Sequence, residues 1–120
     1  MATGVTIARA NAMLDTITTP HVKLHTGDPG AAGTANASTE TTRKAITLAA
    51  ASSGTRTMSA SVSWTGWTQG TQTITHVSVW DALSGGAFQF SVALTNTTTV
   101  NNTETFMLQT LGISVLSIAA

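Results

Sequence analysis

The sequence predicts an all-β domain, an antiparallel β-sandwich of six to seven strands preceded by one short helix. Three observations predict it. Charged residues make up only 8% of the chain while hydrophobic ones reach 42%, so the surface must be polar without being ionic, and twenty-five Thr and eleven Ser fill that role. Thr is β-branched and suits the half-exposed face of a pleated strand. Short stretches of alternating apolar and polar residues recur between Gly, Asn and Ser, which is a strand signal. A helical period occurs once, near the N-terminus. With 120 residues the chain has room for one core, and residues 1–120 read as a single domain.

The helix is predicted over residues 5–18. Ile7, Ala10, Leu14 and Ile17 recur at three- and four-residue steps and share one face. Thr3 or Thr6 is placed to cap its start, and Pro20 disfavours helical geometry at Thr19. Strands are then expected at His21–Thr26, Lys44–Ala50, Thr55–Trp64, Thr73–Asp81, Ala87–Leu94, Thr103–Gln109 and Gly112–Ala119. The clearest sets Phe88, Phe90, Val92 and Leu94 on one face against Gln89, Ser91 and Ala93 on the other. Strands with one apolar and one hydroxylated face are best buried as two stacked sheets, with a partly closed barrel as the alternative.

Two polar connections interrupt the pattern. Residues 27–42, GDPGAAGTANASTETT, contain no large apolar side chain. Asp28-Pro29-Gly30 reads as a turn, Pro supplying a fixed φ and Gly a permissive one. A loop this long is expected to be disordered or to make contacts, with ordering only against a neighbouring subunit as one of two open alternatives. The second, Thr95–Thr103, reads as a surface turn. The apolar tail from Leu111 to Ala120 is too short for a bilayer and reads as a buried strand.

Charge and composition narrow the function. Net charge is zero, and of the five basic residues only Arg43 and Lys44 are adjacent. Nucleic-acid binding draws on clustered cations, so neither nucleic acid nor a membrane surface is an expected partner. A chain with so little charge lacks the self-repulsion that keeps monomers apart, which favours assembly. Cysteine is absent, excluding disulfides and thiolate metal sites. The N-terminus shows no secretory pattern, so synthesis in a cytoplasm is expected.

No catalytic, cofactor or metal site emerges. His21 and His25 on one strand stand about 13 Å apart at about 3.3 Å per residue, too far for one ion. His76 reads as a partly buried side chain bonded within its sheet. Serines lack the G-x-S-x-G context of a nucleophile, the glycines at 27, 30 and 33 match no phosphate loop, and the five carboxylates are dispersed. Trp64, Trp67 and Trp80 leave open a sugar-stacking platform. Trp64 ends an alternating strand and reads as core; Trp67, in the turn Gly66–Gly70, is the aromatic expected to meet a partner. The candidate partner contacts are therefore Asp28, Pro29, Gly30, Arg43 and Trp67, with residues 29–38 expected to be dispensable for folding.

Two segments, LHTGDPGAAGTANASTETTRKAITLA (24–49) and THVSVWDALSGGAFQF (75–90), together with the N-terminal helix ending in Leu-Asp-Thr, resemble small virion structural proteins of tailed bacteriophages, especially those of actinobacteria, described as minor capsid or tail-fibre-like. The resemblance implies a non-enzymatic subunit present in many copies. Its first implied role is capsid decoration: a cement protein, commonly a homotrimer, bound to the major capsid protein on the outer capsid surface. The alternative is a small tail-associated protein that binds a host receptor or glycan. A single domain without a repetitive shaft suits the first role.

Overall fold

The structure is a computed structural model that describes residues 5–114; residues 1–4 and 115–120, including Thr3 and most of the apolar tail, lie outside the described part. The chain forms α1 (Ile7–Asp15), β1 (His21–His25), β2 (Lys44–Ala45), β3 (Thr55–Thr57), β4 (Val62–Trp64), β5 (Gln72–Trp80), β6 (Phe88–Val100), β7 (Phe106–Leu108) and β8 (Gly112–Ser114). The predicted class holds: an antiparallel, mostly β chain with one short N-terminal helix.

α1 is shorter than its apolar period. Thr6 caps it, its hydroxyl accepting from the Arg9 amide at 3.2 Å. Ala10, Leu14 and Ile17 are buried, whereas Ile7 is exposed. The C-terminal end is held from outside: Arg56 Nη1 donates to the Leu14 and Ile17 carbonyls (2.9 and 2.6 Å) and Nε donates to Ala49 O. Leu14 O, in the last turn, also accepts the Ile17 amide at 3.2 Å, Ile17 lies just past the helix, and a cation there meets the negative end of the helix dipole.

The strands differ from the simple two-sheet sandwich. One four-stranded sheet runs β2-β1-β5-β6, and two separate two-stranded ribbons, β3-β8 and β4-β7, replace a continuous second sheet. Among the described residues eight strands result, because the expected Thr55–Trp64 strand divides: β3 pairs with β8, β4 with β7. Between them Met58 donates its amide to Leu111 and forms a lone bridge with Leu48. The Lys44–Ala50 strand shrinks to two residues plus that bridge. One core joins all three sheets, with Val22, Leu24, Ile74, Val77 and Val79 from the large sheet meeting Trp64, Phe106 and Leu108 from a ribbon.

β6 departs most from expectation. It runs through Thr95–Val100, where a surface turn was predicted, because Thr98, Thr99 and Val100 pair with Ile74, Thr73 and Gln72; β-branched Thr fits such an edge. The turn is left to Asn101–Thr103. Two irregularities break the ladder. Val79 pairs with Phe90 but Trp80 pairs with Phe88, so Gln89 is an extra residue and Phe88 is turned to the face opposite Phe90. The expected single apolar face Phe88-Phe90-Val92-Leu94 is thus corrected: Phe90, Val92 and Leu94 pack against the core, and Phe88 joins Trp80 on the other side. A bulge re-aims a side chain in this way.

Candidate contact surface

Strand alternation sends Val22, Leu24, Val77 and Val79 to the core, which sends His25, Ser78 and Trp80 to the opposite face of the same sheet. That face would be polar and wet if open. Instead His25 and Ser78 are fully buried and Trp80 nearly so, because residues 27–42 fold over them. The loop is ordered on its own chain, correcting the alternative in which only a neighbour orders it. Asp28 Oδ1 accepts from Gly30 N at 2.8 Å, Asn36 Nδ2 donates to Asp28 O at 2.9 Å, and Ala35 N donates to Pro29 O at 2.9 Å. The short Asp side chain closing a local turn is typical Asx chemistry. Thr26 and Ser38 then tie both ends down, donating their amides to Asn36 O and Leu24 O.

Under the loop lies a polar chain with every role assigned. A carbonyl only accepts, so His25 Nδ1 carries the proton and donates to Ala35 O at 2.8 Å. Nε2 then accepts from the Ser78 hydroxyl at 2.7 Å, and Ser78 Oγ accepts from Trp80 Nε1 at 2.8 Å. Burial pushes the His25 pKa down, partly offset by the Ala35 carbonyl. Ser78 and His25 sit at nucleophile–base distance, yet both are sealed from solvent and the orienting partner is a carbonyl.

Aromatic packing links this cluster to the next turn. Phe88 and Trp80 rings are tilted with centroids 5.5 Å apart. Gly33 (φ +75°) lies beneath Phe88, where an added Cβ would stand about 2.5 Å from the ring. Arg43 lies over Trp80, its guanidinium carbon 4.4 Å from the ring centroid, and Nη1 donates to Ala82 O and Gly85 O in the β5–β6 turn (2.9 and 2.7 Å).

The five predicted contact residues therefore separate. Asp28 and Gly30 are exposed, whereas Pro29 between them is buried. Arg43 is committed to its own chain. Trp67 lies elsewhere and is 1% exposed, its indole donating to Gly70 O at 2.8 Å and its amide and carbonyl bonded to Glu104 and Thr103. Trp64 is likewise buried and donates to Thr42 O, so the three indoles form no exposed platform. His76 is half-buried and bonded to the Thr75 hydroxyl at 2.8 Å. Sequence reasoning missed the His25–Ser78–Trp80 cluster. A signal was present: Trp80 falls on the same strand face as His76 and Ser78, and a Trp on a polar face implies that something covers it.

Among the described residues, the fold and this covered face define a class: a β module in which the His25–Ser78 imidazole–hydroxyl pair is sealed inside. The chain belongs to the family described as podophage GP4 fiber I protein gp80, whose model matches residues 6–115. No curated protein matches the chain. The protein is thus a phage virion structural protein of a tail-fibre family. This favours the tail-associated alternative over capsid decoration; placement on the outer capsid surface and the actinobacterial assignment find no support in it.

Proposed function

We propose that the chain is a non-enzymatic structural subunit of a podophage-type tail fibre, which docks against further copies of itself and other tail proteins. The observation that carries this reading is the family match across residues 6–115. The geometry supports it: the exposed residues of β6, including Ser91, Thr95 and Thr97–Thr99, form a hydroxyl-rich, uncharged edge, and the Asp28–Gly30 turn is held in shape before any partner arrives. A surface ordered in advance loses less conformational entropy on docking. Clustered cations for nucleic acid are lacking, and no helix among the described residues is long and apolar enough to cross a membrane.

The test is location. Gold-labelled antibody against the protein, imaged on intact virions, is expected to mark the tail and its fibres; label confined to the head would overturn the proposal. Asp28→Ala, which removes the side chain that closes the turn, is expected to lower incorporation into particles while the isolated subunit stays folded.

A further inference from the structure

The covered face holds a titratable ring where a second proton cannot be accommodated. His25 and Ser78 are fully buried. With His25 neutral, every polar atom of the buried chain has a partner: Nδ1 donates to Ala35 O, Nε2 accepts from Ser78, and Ser78 Oγ accepts from Trp80. A proton added at Nε2 turns that acceptor into a donor. Ser78 Oγ would then receive two N–H groups, and its own hydrogen has no further partner among the described residues. The surroundings are also cationic. Lys23 on β1 and His76 on β5 both disfavour a charge on His25, Arg43 lies over Trp80, and β6 carries no charged residue. His21, at the far end of β1, is bonded to Thr19 O. The two carboxylates of the loop, Asp28 and Glu40, accept from the Gly30 and Thr42 amides, and among the described residues neither forms an ion pair.

We infer that residues 27–38 form a lid that acid releases, with the His25–Ser78 pair as its latch. This stretch is the cover most easily lifted. It holds no large apolar side chain, and two backbone hydrogen bonds tie it to the strand below, Ser38 N to Leu24 O and Thr26 N to Asn36 O (3.0 and 2.9 Å), beside the His25–Ala35 bond. Further along, Thr42 stays anchored by the Trp64 indole. Beneath the lid, β1 pairs with β5 along all five of its residues. An element held by so few bonds can open while the rest of the fold stays closed. Water then reaches the ring, which takes up its proton at the ordinary value of 6.5, whereas burial holds the closed form's value lower and outweighs the Ala35 carbonyl. Opening therefore gains one proton. The open fraction rises by up to about tenfold per pH unit below 6.5, until the closed form is protonated as well. At neutral pH Ser78 and Trp80 stay covered; acid uncovers them.

Hydrogen exchange on the full chain, without any partner, tests the lid independently of where the subunit sits on the virion. Protection factors, corrected for the intrinsic pH dependence of exchange, are expected to fall for Thr26 and Ser38 by up to about tenfold per pH unit below 6.5, while the amides of β5 keep theirs. His25→Gln is expected to leave loop protection flat across that range. Should that variant fail to fold, Lys23→Gln decides instead: removing a neighbouring cation raises the pKa of the closed form, so the acid response is expected to level off at a higher pH than in the wild type. Loop protection that ignores pH, loop and β5 amides released together, or an unchanged acid response in the variant that folds would each overturn the lid.

Discussion

Ser78 shows how much a single small side chain can hold. Its hydroxyl donates to His25 and accepts from Trp80 in a fully buried setting. Ser78→Ala leaves both ring nitrogens without a partner, and a stranded buried polar group costs about 1–3 kcal/mol; chemical denaturation is expected to show a loss of that size or somewhat more. His25 adds a pH dependence. Above its ordinary value of 6.5 both folded and unfolded chains hold it neutral. As pH falls through 6.5 the unfolded chain takes up a proton while burial delays uptake in the folded one, so stability declines until the lower folded pKa is passed and then levels off. Denaturation curves between pH 8 and 5 should show this decline, and His25→Gln should remove that part of it. Trp67 is the residue whose predicted role changes most. In the Gly66–Gly70 turn it was expected to meet a partner; buried as it is, Trp67→Ala is expected to cost the lone subunit about 3–5 kcal/mol.

At the scale of elements, Arg56 is the clamp between α1 and the β3–β8 ribbon. It lies within 3.7 Å of Asp15, but Asp15 is half exposed, and an ion pair that open to water contributes little. The three carbonyl bonds matter more. Lys carries one compact ammonium and cannot reproduce the guanidinium fork, so Arg56→Lys is expected to speed amide hydrogen exchange across residues 10–17 while β1 and β5 stay protected. The loop over residues 27–42 is the second such element. Pro29 and Ser38 are buried, Ala35 binds His25, and Gly33 supports Phe88, so deleting residues 29–38 would open the covered face instead of leaving a folded domain. Gly33→Ala tests the same packing gently: a positive φ and a blocked Cβ together are expected to cost about 1–3 kcal/mol, read as a lower denaturation midpoint.

For the whole molecule, alternation and composition made much of the fold legible. Thr-rich alternating runs, one helical period and the Asp28-Pro29-Gly30 turn all depend on local backbone preference, and β1, β5 and the Thr6 cap stand within a residue or two of where those preferences put them. The low charge content, 8% of residues with a net charge of zero, is also read from the sequence alone. Tertiary structure alone decided the rest. Whether Thr55–Trp64 is one strand or two depends on which distant strands offer free edges. Which way Phe88 points depends on an extra residue in the β6 ladder, because one inserted residue reverses a side-chain period of two. The long polar loop became a lid because its partners, His25, Ser78, Trp80 and Phe88, converge only once β1, β5 and β6 are side by side. Hydrogen bonds between residues as far apart as His25 and Ser78 leave no trace in local periodicity.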